Sequence, residues 1–332
     1  MNPTPRHTVQ RRQLLLALCL SSTGLASSPT WAAYPERPIR IVVPFAPGGG
    51  TDLVARSMSV AMGQELGQSV IIENKPGGAT LIGTDAVAKS APDGYTLVMA
   101  TLAHVVNPTI QPKLPYAHDK AFAPVMLVGV SPNVLVVNPK SPYKTVQDII
   151  NAAKASPGKL SFASQGAGTS AHLAGELFKN LSGTFILHIP YRGAGPALTD
   201  LMGGQVDMMF ATASAVGNLI ESGKLRAIAV TTEARSKARN LANLPTIAES
   251  GVPGYVADSW YGLFAPAATP KDIVTRLNAA ANKAVQTEAF KKQLENEGLV
   301  IKGGTPQDFD AYAKREEGRW RKVVKDNNIT AD

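Results

Sequence analysis

The run Pro44-Phe45-Ala46-Pro47-Gly48-Gly49-Gly50-Thr51-Asp52 carries the clearest chemistry in the chain. It joins an apolar, β-branched stretch, Ile39 to Pro44, to an amphipathic stretch that starts at Thr51 and reads as a helix. Successive glycines let the backbone take positive φ and approach a ligand closely, while the free N–H groups and dipole of the first helical turn point the same way. Such a corner suits a carboxylate or a phosphate. The layout recurs at Ser164-Gln165-Gly166-Ala167-Gly168-Thr169-Ser170, again between an apolar run and a Thr-headed helix. One Gly-rich turn is the ordinary way to make a tight βα connection. Two of them suggest a cleft in which ligand sits at the carboxyl ends of two sheets.

Other residues could serve that cleft. Asp52, at a helix head, is favourable with the dipole in the simpler reading; in the other it fixes the loop or reaches a ligand amine. Ser164 and Thr169 are cap types that can also donate hydroxyls to a carboxylate. His172 falls one turn beyond its cap, where it could face the cleft, although a helical His is more often packed or solvated; His188, between Leu187 and Ile189, reads as structural. Thr101 and His104 follow a strand end, as a third binding loop would. Tyr191 could cover an aromatic ring and Arg192 could fork onto a second carboxylate, the alternative being a surface arginine. Thr212 and Ser214 follow another strand end.

Short apolar runs alternate with longer helical patterns along most of the chain, as in parallel sheets with crossover helices. Strands are expected at Ile39 to Pro44, Val70 to Glu73, Thr96 to Ala100, Val125 to Val130, Val134 to Val137, Leu160 to Ser164, Phe185 to Tyr191, Val206 to Ala211, Leu225 to Thr231 and Trp260 to Phe264. Helices fit Thr51 to Leu66, Ala79 to Lys89, Thr145 to Ser156, Thr169 to Leu181, Ala194 to Met202 and Ala215 to Ser222. From Lys271 to Lys325 the pattern is helical in at least three pieces, broken at Gln286-Thr287 and at Gly303-Gly304-Thr305-Pro306, where Thr305 caps with Pro306 at the first helical position.

Arg6, Arg11 and Arg12 precede the apolar run Leu14 to Leu20, and a small-x-small site follows at Thr30-Trp31-Ala32, so residues 1–33 read as an export signal and the mature protein as periplasmic. The single cysteine, Cys19, lies within that signal, which leaves no thiol for a disulfide, a nucleophile or a thiolate metal site. Removing three signal arginines leaves 30 basic against 25 acidic residues, a mild +5 that favours anionic partners. The basic residues are scattered and nucleic acid is not expected. No cofactor, metal or catalytic residue is expected either. Ser164 sits on a strand-to-helix turn, but a hydrolase elbow needs glycine where Phe162 stands. The Gly48-to-Thr51 loop lacks the Lys-Ser/Thr of a nucleotide P-loop, and the histidines form no metal pair.

Several motifs, in order, resemble the Bug (TctC-like) receptors, the extracytoplasmic solute-binding proteins of tripartite tricarboxylate transporters. They are Tyr34-Pro35-Glu36-Arg37-Pro38-Ile39, the Pro44-to-Asp52 corner, Glu73-Asn74-Lys75-Pro76-Gly77-Gly78, Pro92-Asp93-Gly94-Tyr95-Thr96-Leu97 and the Ser164-to-Thr169 corner. The similarity continues through Pro190-Tyr191-Arg192-Gly193, Leu201 to Asp207, Leu244 to Glu249 and Trp260 to Pro266. The resemblance implies an α/β, two-lobed periplasmic binding protein, type II-like, each lobe a mostly parallel sheet flanked by helices, with the ligand cleft between lobes. Lobe I is expected over 34–132 and 257–332, lobe II over 133–256. The resemblance also implies that two pincers grip one carboxylate, partly through ordered waters: Phe45, Pro47, Gly48, Gly49, Gly50, Thr51 and Asp52 form the first. Ser164, Gly166, Gly168, Thr169 and His172 form the second, with Gln165 between them a further ligand-binding candidate. Ligands of the family include di- and tricarboxylates such as citrate, acidic amino acids, nicotinate and aromatic carboxylates. The implied partners are membrane transporter subunits, the alternative being a periplasmic sensor kinase domain.

Overall fold

The computed structural model describes residues 34–111, 113–294 and 298–330. The expected export signal lies outside the described residues. Two sheets hold the strands. The larger has the order β11-β4-β10-β3-β1-β2, built from β1 (Ile39–Val43), β2 (Val70–Asn74), β3 (Thr96–Thr101), β4 (Phe122–Ser131), β10 (Ser259–Pro266) and β11 (Val300–Ile301). The smaller has the order β7-β6-β8-β5-β9, built from β5 (Asn133–Val137), β6 (Ser161–Ser164), β7 (Leu187–Pro190), β8 (Met208–Thr212) and β9 (Arg226–Val230). The helices that flank them are α1 (Gly50–Leu66), α2 (Leu81–Ala88), α3 (Leu102–Ile110), α4 (Val146–Ala155), α5 (Ser170–Ser182), α6 (Ala194–Gly203), α7 (Ala213–Glu221), α8 (Lys271–Gln286), α9 (Glu288–Leu294) and α10 (Pro306–Asp326).

The two-sheet α/β architecture matches expectation: most strands of each sheet run in one direction, and β5, β10 and β11 run against them. β1, β2 and β3 are mutually parallel, as are β6, β7 and β8. β10 runs antiparallel to β3 and β4, and β5 antiparallel to β8 and β9. The reason is the path of the chain. β4 passes into β5 through Pro132, so β5 enters the smaller sheet from the side where its parallel strands end. β10 re-enters the larger sheet in the same way after β9. The two crossings lie side by side: Ser131 pairs with Ser259, Asn133 Nδ2 donates to the Ala257 carbonyl at 2.8 Å, and the Ala257 N–H donates to Thr231 O at 3.0 Å.

The segment after β3, read as a loop, is helix α3. Pro108 inside it, with Asn107 and His104 as weak helix formers, masks the period. Tertiary contacts hold it instead. Asn107 is fully buried, and its Nδ2 donates to Ala79 O at 2.9 Å and Thr80 Oγ1 at 3.2 Å, bracing two non-glycine residues with φ of 53° and 76°. The C-terminal pieces follow the sequence pattern closely. Thr305 and Asp308 form a capping box with Pro306 in the first turn, and α10 then lays Phe309 and Trp320 into the core. Phe309 fits only because β10 has glycine at 262, where a Cβ would meet its ring.

His104 belongs to this core. Its ring stacks on Phe264 at 4.5 Å and lies 4.9 Å from Phe122 and 5.0 Å from His118. Burial, with a smaller push from His118, drives its imidazole down to about 3. The folded form stays neutral while the unfolded chain takes up a proton near the ordinary 6.5. Stability contributed by neutral His104 is therefore complete above that pH and is lost toward 3, by up to ~1.4 kcal/mol per pH unit. His104→Phe should flatten this acid limb in urea unfolding series; an equally steep limb would assign the acid sensitivity to other groups.

Candidate functional site

The ends of the parallel strands set the site. β1, β3, β6, β7 and β8 are each followed, directly or after a Gly-containing loop, by a helix, and the five helix starts converge. Their N-cap residues are Gly49 (α1), Thr101 (α3), Thr169 (α5), Gly193 (α6) and Thr212 (α7). A cavity of about 20 Å3 lies among them, lined by Phe45, Gly49, Gly50, Thr51, Thr101, Gln165, Thr169, Ser170, Ala194, Thr212, Ser259 and Tyr261. None of these twelve residues is charged. Each helix start contributes roughly half a positive unit charge, so the wall is electropositive without a cation. Two side-chain acceptors on it, Thr212 Oγ1 and Gln165 Oε1, are buried with no hydrogen-bond partner among the described residues. A hydroxyl in that position can also donate to an incoming anion.

Eight of the residues singled out from sequence line the cavity: Phe45, Gly49, Gly50, Thr51, Thr101, Gln165, Thr169 and Thr212. The others lie behind it. Pro47 and Gly48 complete the first turn, Gly48 at φ 86°, in the left-handed region that favours glycine. Asp52 faces away from the cavity and takes the loop-fixing role: its Oδ2 accepts the Gly48 N–H at 3.0 Å. The reading that gave it only a dipole-compatible position falls short for this reason. His104 lies in the aromatic core described above, because the segment that carries it is a helix and not a loop.

Behind the second corner, Ser164 is fully buried, and its Oγ accepts the Gly166 N–H at 3.1 Å and lies 2.6 Å from His188 Nε2. Thr169 Oγ1 donates to Gly166 O at 2.7 Å. His172 Nδ1 accepts the Gly168 N–H at 3.1 Å, and the ring stacks on His188 at 4.3 Å. Ser164, Gly166, Gly168 and His172 therefore shape the corner from beneath while Gln165, Thr169 and Ser170 face the cavity. Gly168, at φ 71°, rests on α3, since a Cβ there would stand 2.6 Å from Ile110 Cδ1 and 2.8 Å from Asn107 Oδ1.

Tyr191 and Arg192 do not line the cavity. The Tyr191 hydroxyl donates to Asp200 Oδ2 at 2.7 Å, and burial together with that carboxylate pushes the phenol up to about 12. The Arg192 side chain is exposed, and its carbonyl accepts the Ala46 N–H at 3.1 Å. That bond ties the first corner directly to the loop before α6. Glycines make the approach possible: a Cβ at Gly193 would stand 2.9 Å from Ala46 N, and one at Gly195 2.9 Å from Pro47 O. At Gly50 a Cβ would meet Thr212 Oγ1 at 2.6 Å, Tyr261 OH at 2.8 Å, and Ser214 Oγ. Ser214 itself pairs with Tyr261 OH at 2.8 Å.

Sequence reasoning missed Ser170, Ala194, Ser259 and Tyr261 as cavity residues. Ser170 and Ala194 directly follow N-caps and were recoverable from the rule that led to Thr169. Ser259 and Tyr261 sit on β10, whose continuous apolar run reads as core and gives no sign that its first residues reach the cavity.

The family model described as tripartite tricarboxylate transporter family receptor (TctC) matches residues 54–329. Protein BugT of Bordetella pertussis is 38% identical over 314 residues, which are 94% of this chain and 96% of that protein. An R. palustris protein solved with adipate is 36% identical, with a TM-score of 0.86 over 90% of this chain and 99% of its own. MatC from Rhodopseudomonas palustris, solved with bound malate, is 33% identical, with a TM-score of 0.84 over 88% of this chain and 100% of its own. The chain belongs to the tripartite tricarboxylate transporter receptor family, the Bug proteins, and has their two-lobed periplasmic-binding-protein fold.

Proposed function

We propose that this protein is a periplasmic receptor that captures a small organic carboxylate between two lobes, 34–132 with 257–332 and 133–256, and delivers it to a tripartite tricarboxylate-type membrane transporter. The observation that carries the reading is the convergence of five helix N-termini on a cavity whose lining bears no charge, with the Thr212 hydroxyl unpaired on its wall. Backbone N–H groups and a hydroxyl suit a carboxylate, and the dipoles neutralise its charge. Relatives of similar length hold adipate and malate, both aliphatic dicarboxylates, which supports that ligand class. No helix among the described residues is long and apolar enough to cross a membrane, which fits an exported receptor that needs a separate membrane partner. No feature favours the sensor alternative.

Binding, not turnover, is the chemistry this site supports. Ser164 and His188 sit close, but Ser164 is fully buried and does not face the cavity, so no substrate carbonyl reaches it. A cavity of about 20 Å3 has room for about one water molecule. A dicarboxylate therefore enters by parting the two corners, and the contact between Ala46 and Arg192 must open and re-form.

A thermal-shift series over aliphatic and aromatic carboxylates should give a saturable rise of the unfolding midpoint with one class. No rise with any of them, on protein verified to be folded and ligand-free, would overturn the carboxylate reading. Thr212→Val should weaken binding by about tenfold to a hundredfold, the cost of losing a hydrogen bond to a charged group, with little change in the ligand-free midpoint. Gly50→Ala should abolish the ligand-induced compaction seen by small-angle scattering, because the added methyl meets Thr212 Oγ1 from the smaller sheet, while the Tyr261 hydroxyl, from its own sheet, is the far end of a side chain that can shift. Normal compaction in that variant would show that the corners do not close as described.

A further inference from the structure

The motif Glu73-Asn74-Lys75-Pro76-Gly77-Gly78 contributes nothing to the cavity lining. Its Asn74 instead joins a closed ring of side chains behind the first corner. Arg56 Nε donates to Asp52 Oδ2 at 3.0 Å, and Arg56 Nη2 donates to Asn74 Oδ1 at 2.9 Å. Asn74 Nδ2 closes the ring by donating to Asp52 Oδ1 at 3.0 Å, and also donates to Phe45 O at 3.1 Å. The Gly48 N–H donates to Asp52 Oδ2, so the ring grips the turn at both ends, at Phe45 and at Gly48.

Asp52 is also an electrostatic liability. It is nearly buried, and it follows Thr51, which lines the cavity, in the first turn of a helix whose start faces that cavity. Burial alone would raise its carboxyl, but hydrogen bonds from Arg56, Gly48 and Asn74 and the Arg56 charge outweigh that and hold it below the usual range. Asp52 is therefore a fixed negative charge beside an anion site. Only the Arg56 guanidinium offsets it within the ring.

We infer that Arg56, which does not line the cavity, is a positioning residue for carboxylate capture: it locks Asp52 and Asn74 into the ring that fixes the Phe45–Gly48 backbone, and it cancels the Asp52 charge behind the anion site. The charge half rests on the carboxylate reading above; the loop half stands on geometry alone.

Arg56→Gln and Arg56→Lys separate the halves. In ligand-free protein, both should speed hydrogen exchange at the Gly48 to Gly50 amides while the unfolding midpoint stays near wild type. Unchanged exchange overturns the loop half whether or not any carboxylate binds. In adipate titrations near neutral pH, Arg56→Gln should weaken binding by about fivefold, as expected for one unscreened charge near a partly solvated site. Arg56→Lys should lose less. The Arg56→Gln defect should shrink as pH falls and Asp52 protonates, and should be rescued by adding Asp52→Asn. A loss that is independent of pH and not rescued overturns the charge half. Failure of wild type to bind adipate counts against the carboxylate reading and the charge half together, and the exchange result still decides the loop half.

Discussion

Five helices begin at one wall, and the first-turn N–H groups of each have no partner within their own helix. Much of the chain serves the problem of bringing those groups together without burying a cation among them. Parallel strands supply the geometry, because a strand followed by a short turn and a helix places every helix start at the same edge of the sheet. Glycine supplies the proximity: at 193 and 195 the backbones come so close that a single methyl would collide with the opposite corner, and at 50 it would collide with the Thr212 and Ser214 hydroxyls. The residues behind the wall, Ser164, His172, Asp52 and Asn74, hold the turns so that their N–H groups keep their aim.

The antiparallel strands answer a different demand. Two corners from separate sheets can part only if the sheets are joined by a narrow connection, and here the two crossings run side by side through Ser131, Asn133, Ala257 and Ser259. A chain that leaves one sheet and returns must enter each from the far edge, which forces β5 and β10 to run against their neighbours. Mixed sheets are thus the topological signature of a chain that crosses twice between two otherwise parallel units.

This division explains what could be read from the sequence. The parallel βα units announce themselves through local signals: an apolar run, glycines, then a Thr-headed amphipathic stretch. Both corners, and Thr101 and Thr212 as strand-end residues, follow from such signals. What escaped depends on contacts distant in sequence. Helix α3 is stabilised by Asn107 reaching Ala79 and Thr80, not by its own propensities. Tyr261 reaches the cavity from a strand whose composition is that of core. His104 looked like a ligand residue because its packing partners, Phe122 and Phe264, come from two strands outside its own βα unit.

The five helix starts are not shared evenly. α1 and α3 follow strands of the larger sheet, while α5, α6 and α7 follow strands of the smaller. Their combined field exists only while the two groups face each other, and no charged side chain lines the cavity on either side. Affinity is therefore a property of the assembled wall and not of either half. A membrane partner that levers the halves apart would release cargo by dividing the field, with no need to touch, displace or protonate the cargo itself.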